Sequence, residues 1–144
     1  MIEQDTIKLL RECDSGVKMG VSSIDEVMGH VKNEGLKNSL TECKKEHEHL
    51  DREIQALLHD YEDEGKSPNP MAKAMSWIKT EWKLANRDTD RTVADLMTDG
   101  CNMGVKSLSR YLNQYKAADE QTKDIAKRLI ASEERLAVAC RGYL

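Results

Sequence analysis

The sequence predicts an all-α fold, a bundle of four long helices. Three observations carry this. Apolar residues recur every three or four positions over most of the chain, the period of a helix with one buried face. Only two prolines and eight glycines punctuate 144 residues, too few for the many turns of a sandwich or barrel. Charged residues make up 33% and hydrophobic residues 39%, a balance that suits amphipathic helices with wet outer faces. A chain of this length is one domain and can bury a real core. With no phenylalanine, that core has to come from Leu, Ile, Val, Met, Ala, Trp, Tyr and Cys.

The first helix is expected over about 3–31, from Ile7, Leu10, Val17, Val21, Ile24, Met28 and Val31, with Asp14 filling the gap in the stripe. Asn33, Glu34 and Gly35 make the break. The second stripe runs Leu36, Leu40, Cys43, His47, Leu50, Ile54, Leu57 and Tyr61, so a histidine stands on an inward face. The polar run EDEGKSPNP, with Gly65, Pro68 and Pro70, ends that helix. A short helix follows at about 71–85, with Pro70 suited to its first turn and Met75, Trp77, Ile78 and Trp82 on it. A long helix over 89–116 carries Val93, Met97, Cys101, Val105, Leu108, Leu112 and Tyr115. The last, over 120–142, carries Ile125, Leu129, Glu133, Leu136, Cys140 and Tyr143. The organisation predicted is a single domain over 1–144: a hairpin over 1–64, a crossover with the short helix over 65–88, and a hairpin over 89–144. The link from 62 to 88 is long enough to run the length of the bundle, which favours a crossover over a simple up-and-down chain.

Composition excludes several function classes. The net charge is -4, with 22 basic and 26 acidic residues interleaved, so no basic patch marks a nucleic-acid binder. No run approaches 18 apolar residues, so no membrane span is expected. MIEQDTIKLLRECD lacks the basic and apolar regions of a secretory signal, so the expected location is the cytoplasm, where thiols stay reduced. Cys13, Cys43, Cys101 and Cys140 are widely spaced with no CxxC, which rules out a zinc ribbon or thioredoxin-like motif and reads as small core residues. No Ser-His-Asp order, phosphate-binding glycine loop, HExxH or dinucleotide fingerprint occurs.

The two halves look alike. CDSGVKMGV (13–21) lies over CNMGVKSLS (101–109), and KEHEHL (45–50) over ASEERL (131–136). In that alignment Asp14 matches Asn102 and His47 matches Glu133, four polar residues within the inward stripes. Two hairpins, a long crossover and an internal repeat resemble the ferritin-like superfamily. EHEHLDREIQALL (46–58) is similar to the second helix of its bacterioferritin and rubrerythrin group, whose metal motif is Glu-x-x-His. The whole pattern, with LLRECDSG opening the first hairpin and MAKAMSWIKTEWKL as a Trp-bearing short helix, resembles an uncharacterised bacterial family of that superfamily.

The resemblance implies a di-iron site with one Glu from each of two helices and a Glu-x-x-His pair from each of the others. Glu46 and His49 have the spacing that puts carboxylate and imidazole on one helical face. The remaining ligands are missing: GVKMGVSSI and GVKSLSRYL offer no carboxylate, and Ser132 and Arg135 stand where the second pair belongs. At about 100° per residue, Glu46 flanks the inward stripe and His49 points well away from it, leaving His47 as the inward histidine. The expectation is a non-catalytic bundle with a structural, interaction or stress-associated role and a degenerate metal site. The alternative is a metal-binding protein with a reduced site of Glu46, His47, His49 and Glu133, Cys43 nearby, holding iron or zinc; a Cys-His-Glu set suits zinc. Histidine phosphotransfer through His49 is disfavoured, because Asp51 and Glu53 would repel a phosphoryl group. The expected partner is a second copy in a dimer, through flank residues such as Leu58, Trp77 and Trp82.

Overall fold

The computed structural model describes residues 2–66 and 89–144, and these are all-helical, with no strand among them. Helix α1 spans Ile2–Met28, α2 Glu34–Asp60, α3 Thr89–Gln114 and α4 Glu120–Cys140, closed by a 3₁₀ turn at Arg141–Tyr143. The short helix expected over 71–85, with Trp77 and Trp82, lies outside the described residues.

The helices start where side chains can hold otherwise unsatisfied N–H groups. Asn33 accepts from the Leu36 N–H at the head of α2, and Asp119 from the Thr122 N–H at the head of α4. The break expected at 33–35 lies earlier, at 29–33: α1 ends at Met28 rather than near 31, Asn33 caps α2, and Glu34 and Gly35 already belong to the helix. A Cβ on Gly35 would stand 2.6 Å from the Tyr143 hydroxyl, so a side chain there would displace the Tyr143 ring of the closing turn.

Neighbouring helices run antiparallel. Leu36, Leu40 and Cys43 of α2 cluster with Leu136, Ala137 and Cys140 of α4, while Leu50, Ile54 and Leu58 cluster with Ile125, Ala126 and Leu129. Ile24 and Val27 of α1 meet Val93, Ala94 and Met97 of α3, and the opposite end of α1 shares its cluster with Leu108. The end of α2 and the start of α3 thus lie at opposite ends of helices about 40 Å long. Residues 61–66 already run back along α1. Asp63 pairs with Arg11, and Lys66 donates through Nζ to Glu12 and through its N–H to the buried Asp14. Gly65, at φ +81°, makes this turn against Asp14 and Leu58.

The two hairpins repeat each other's burial. Leu9, Leu10, Cys13, Val17 and Ile24 are buried, and so are Val93, Ala94, Met97, Cys101 and Leu108, each 84 positions on. Leu36, Leu40, Cys43, His47, Leu50 and Ile54 are matched 86 positions on by Thr122, Ala126, Leu129, Glu133, Leu136 and Cys140. Contacts come in reciprocal pairs, as an approximate two-fold relation requires. The Asp119 N–H donates to Thr6, and the Asn33 N–H to Asp90. The repeat expected in the first and third helices is one helical turn out of register. Gly20, not Gly16, is the counterpart of Gly104, and Asn102 is exposed rather than a partner of the buried Asp14. The sequence holds this register too, in MGVSSI (19–24) over MGVKSL (103–108).

Candidate functional site: a buried histidine and glutamate between two glycines

The core divides into two apolar clusters. One contains Ile24, Cys43, Cys101 and Leu136, the other Val17, Leu50, Leu108 and Leu129. At the level between them stand Gly20, His47, Gly104 and Glu133, one from each helix. His47 is 1% exposed and Glu133 8%. Its ring Nε2 lies 4.0 Å from Glu133 Oε1, so the two hairpins meet through a charged pair on their shared axis.

Each side chain occupies space a glycine leaves open. A Cβ on Gly20 would stand 2.7 Å from His47 Cδ2 and 2.8 Å from Nε2, and one on Gly104 would collide with the Glu133 carboxylate. The close approach expected of the helix-interior glycines is therefore an approach of side chains. At Gly16, a Cβ would make only an ordinary contact, 3.7 Å from Leu129.

The ring's other nitrogen is tied to its own helix. His47 Nδ1 lies 2.9 Å from the Cys43 carbonyl oxygen. A carbonyl only accepts, so Nδ1 carries a proton and donates it there. Cys43 Sγ at 3.5 Å and Ser132 Oγ at 3.4 Å complete the ring's surroundings. Nε2 is left to face Glu133, and Nε2 and Glu133 Oε2 have no hydrogen-bond partner. Burial works against the imidazolium. Cys43 and the Glu133 carboxylate beside the ring outweigh it and hold His47 up at about 10. Burial pushes the Glu133 carboxyl up, and His47 draws it part of the way back. At neutral pH the pair keeps the one proton that leaves it without net charge.

The other expected ligands lie elsewhere. Glu46 is half-buried and ion-paired with Arg135 across the α2–α4 seam. His49 is exposed and lies 3.5 Å from Glu53, whose carboxyl is held below its ordinary range by hydrogen bonds from Arg128. Glu46, His49 and Arg135 border an open groove of about 470 Å³, together with Lys45, Leu50 and Arg128. The groove's two arginines are matched by carboxylates, Arg128 by Glu53 and Arg135 by Glu46. The structure brings together His47 and Glu133, with Cys43 beside the ring, and keeps Glu46 and His49 outside. Among the described residues, no three His, Cys, Asp or Glu side chains gather as a metal requires. These residues do not fit the ligand set of a di-iron centre.

The remaining polar and sulfur groups of the core are accounted for separately. Asp14 accepts from Lys18 Nζ, Gln55 Nε2 and the Lys66 N–H, at 3.0, 2.7 and 3.1 Å, away from His47. All four cysteines are free and buried. Burial raises the thiols of Cys13 to about 12 and Cys140 to about 11 and lifts that of Cys101, which keeps them protonated and unreactive. Leu58, expected on a flank, is 1% exposed and belongs to the core; it continues the Leu50–Ile54 steps of four. No helix of the described residues is long and apolar enough to cross a membrane. No protein-family model matches the chain, and neither a curated protein nor a solved structure matches it.

Proposed function

We propose that the chain is a ferritin-like bundle without that superfamily's di-iron chemistry, acting as a non-catalytic structural or interaction module that pairs with a second copy. Two antiparallel hairpins joined end to opposite end support the ferritin-like reading. The observation that carries the functional reading is the central level. Two of its four inward positions are glycine, and the other two hold a histidine and a glutamate aimed at each other. The carboxylate of the Glu-x-x-His spacing is engaged by Arg135 instead.

A second reading, a single iron or zinc ion held by a reduced site, is favoured by one detail: His47 Nε2 and Glu133 Oε2 are both buried without a hydrogen-bond partner. Elemental mass spectrometry separates the two, on protein purified without chelator and then incubated with ferrous iron or zinc. The expected result is less than 0.1 metal per chain, about one-tenth occupancy at most, since two ligands leave a first-row ion underligated. One equivalent, lost in His47→Ala and kept in Glu46→Ala, would overturn the first reading in favour of the second. Light scattering at micromolar concentration tests the pairing; a monomer at every concentration sinks it.

A further inference from the structure

We infer that His47 and Glu133 are the recognition element that makes the first hairpin pair with the second rather than with a copy of itself. The apolar pattern cannot make that choice. The buried positions of α1 recur in α3, those of α2 recur in α4, and the capping contacts recur with them. Each hairpin therefore presents nearly the same surface to its partner. Two copies of the first hairpin would bury much the same apolar area as one copy of each.

Inside the core, the axis is where the two pairings differ; at the surface the Glu46–Arg135 and Glu53–Arg128 pairs also join unlike hairpins, but exposed pairs of this kind weigh little beside a buried one. A residue on a two-fold axis meets its own counterpart, and His47 meets Glu133. In a like-with-like assembly His47 would meet His47, or Glu133 would meet Glu133. Two imidazoliums or two carboxylates would then be buried against each other, each charge without the opposite charge that compensates its burial. Glycines at 20 and 104 serve both arrangements equally, so shape does not discriminate; charge does. A single buried polar pair that fixes which helices associate is an established device of helical assemblies.

The matched glycine gaps also supply the test. Because each side chain sits against a glycine, exchanging the two leaves room for both. Four variants are compared with the unaltered chain at pH 6.5 by urea unfolding and light scattering: His47→Glu, Glu133→His, the exchange of both, and His47→Leu with Glu133→Leu. Each single variant creates a like pair and is expected to lose on the order of 100-fold or more in its folding equilibrium constant. The exchange is expected to recover most of that loss and the mass distribution of the unaltered chain. The double leucine variant is expected to fold and to populate additional self-associated species, because its hairpins have lost the distinguishing pair. An exchange variant no more stable than the weaker single variant overturns the inference, including where the singles do not fold at all. So does a double leucine variant whose mass distribution equals that of the unaltered chain, which would reduce the pair to packing.

Discussion

Gly20 and Gly16 are four residues apart on one helix, and their surroundings separate their roles. Ala is favoured over Gly inside a helix by about 1 kcal/mol. At Gly16 the added methyl meets only Leu129 at 3.7 Å, so Gly16→Ala is expected to raise stability by up to that amount. At Gly20 the methyl meets a ring held by its own Nδ1 bond to Cys43. Overpacking of about 1–3 kcal/mol then outweighs the propensity gain, and Gly20→Ala is expected to destabilise. Thermal unfolding of the two variants side by side decides, and a Gly20→Ala at least as stable as Gly16→Ala would show that the ring moves freely. His47 was legible as an inward residue because it falls on the stripe between Cys43 and Leu50. Its partner was legible only as the matching residue of a repeat, since a contact across 86 positions leaves no local mark. The gaps at Gly20 and Gly104 were not legible, because a helix-interior glycine can equally serve backbone approach.

At the level of elements, the helix heads are held in related ways. Asn33 and Asp119 each cap their helix through a side-chain oxygen, and their own N–H groups are held by Asp90 and Thr6. Replacing either cap by Ala is expected to cost about 1 kcal/mol. Asp90→Ala removes the acceptor for the Lys32 and Asn33 N–H groups together and should match or exceed that loss. Denaturant unfolding measures all three; a negligible effect at Asp119 beside a full effect at Asn33 would break the reciprocity of the two hairpins. The Lys44–Asp25 and Lys123–Glu120 pairs lie at the surface, where solvent screening leaves an ion pair little effect on stability. Helix extents were readable to within a few residues because caps and periodicity are local. The one-turn slip between α1 and α3 arose because CDSGVK and CNMGVK share as many letters as MGVSSI and MGVKSL. Burial, not identity, selects the register.

For the whole molecule, the buried pair ties stability to pH. His47 is held at about 10 against 6.5 in an unfolded chain, so the folded chain binds that proton more tightly. The contribution is complete below pH 6.5 and is lost progressively as the pH rises towards 10. The raised Glu133 carboxyl acts in the same sense. Cys43 on α2 and Cys101 on α3 are the other titratable groups facing the pair. Burial keeps the Cys101 thiol protonated across the window from pH 6.5 to 8.5, so the slope there reports the His47–Glu133 pair. Urea midpoints are expected to fall across that window in the unaltered chain and to stay nearly flat in the double leucine variant. Parallel slopes in the two proteins would place the proton elsewhere.

The sequence by itself determined the helical class, the hairpin order, the inward stripes and the inward position of His47, because each is written in spacing along one helix. It also held the reason to doubt a di-iron centre, in the carboxylates absent from GVKMGVSSI and its counterpart. What only the tertiary structure decided is which polar residues meet. Asp14 turned to Lys18, Gln55 and Lys66, Asn102 to solvent, Glu46 to Arg135, and His47 to Glu133. The physical reason is that an apolar stripe needs only a buried face, which periodicity supplies. A buried charge needs one particular partner at a few ångströms, and that partner is chosen by how two hairpins pack.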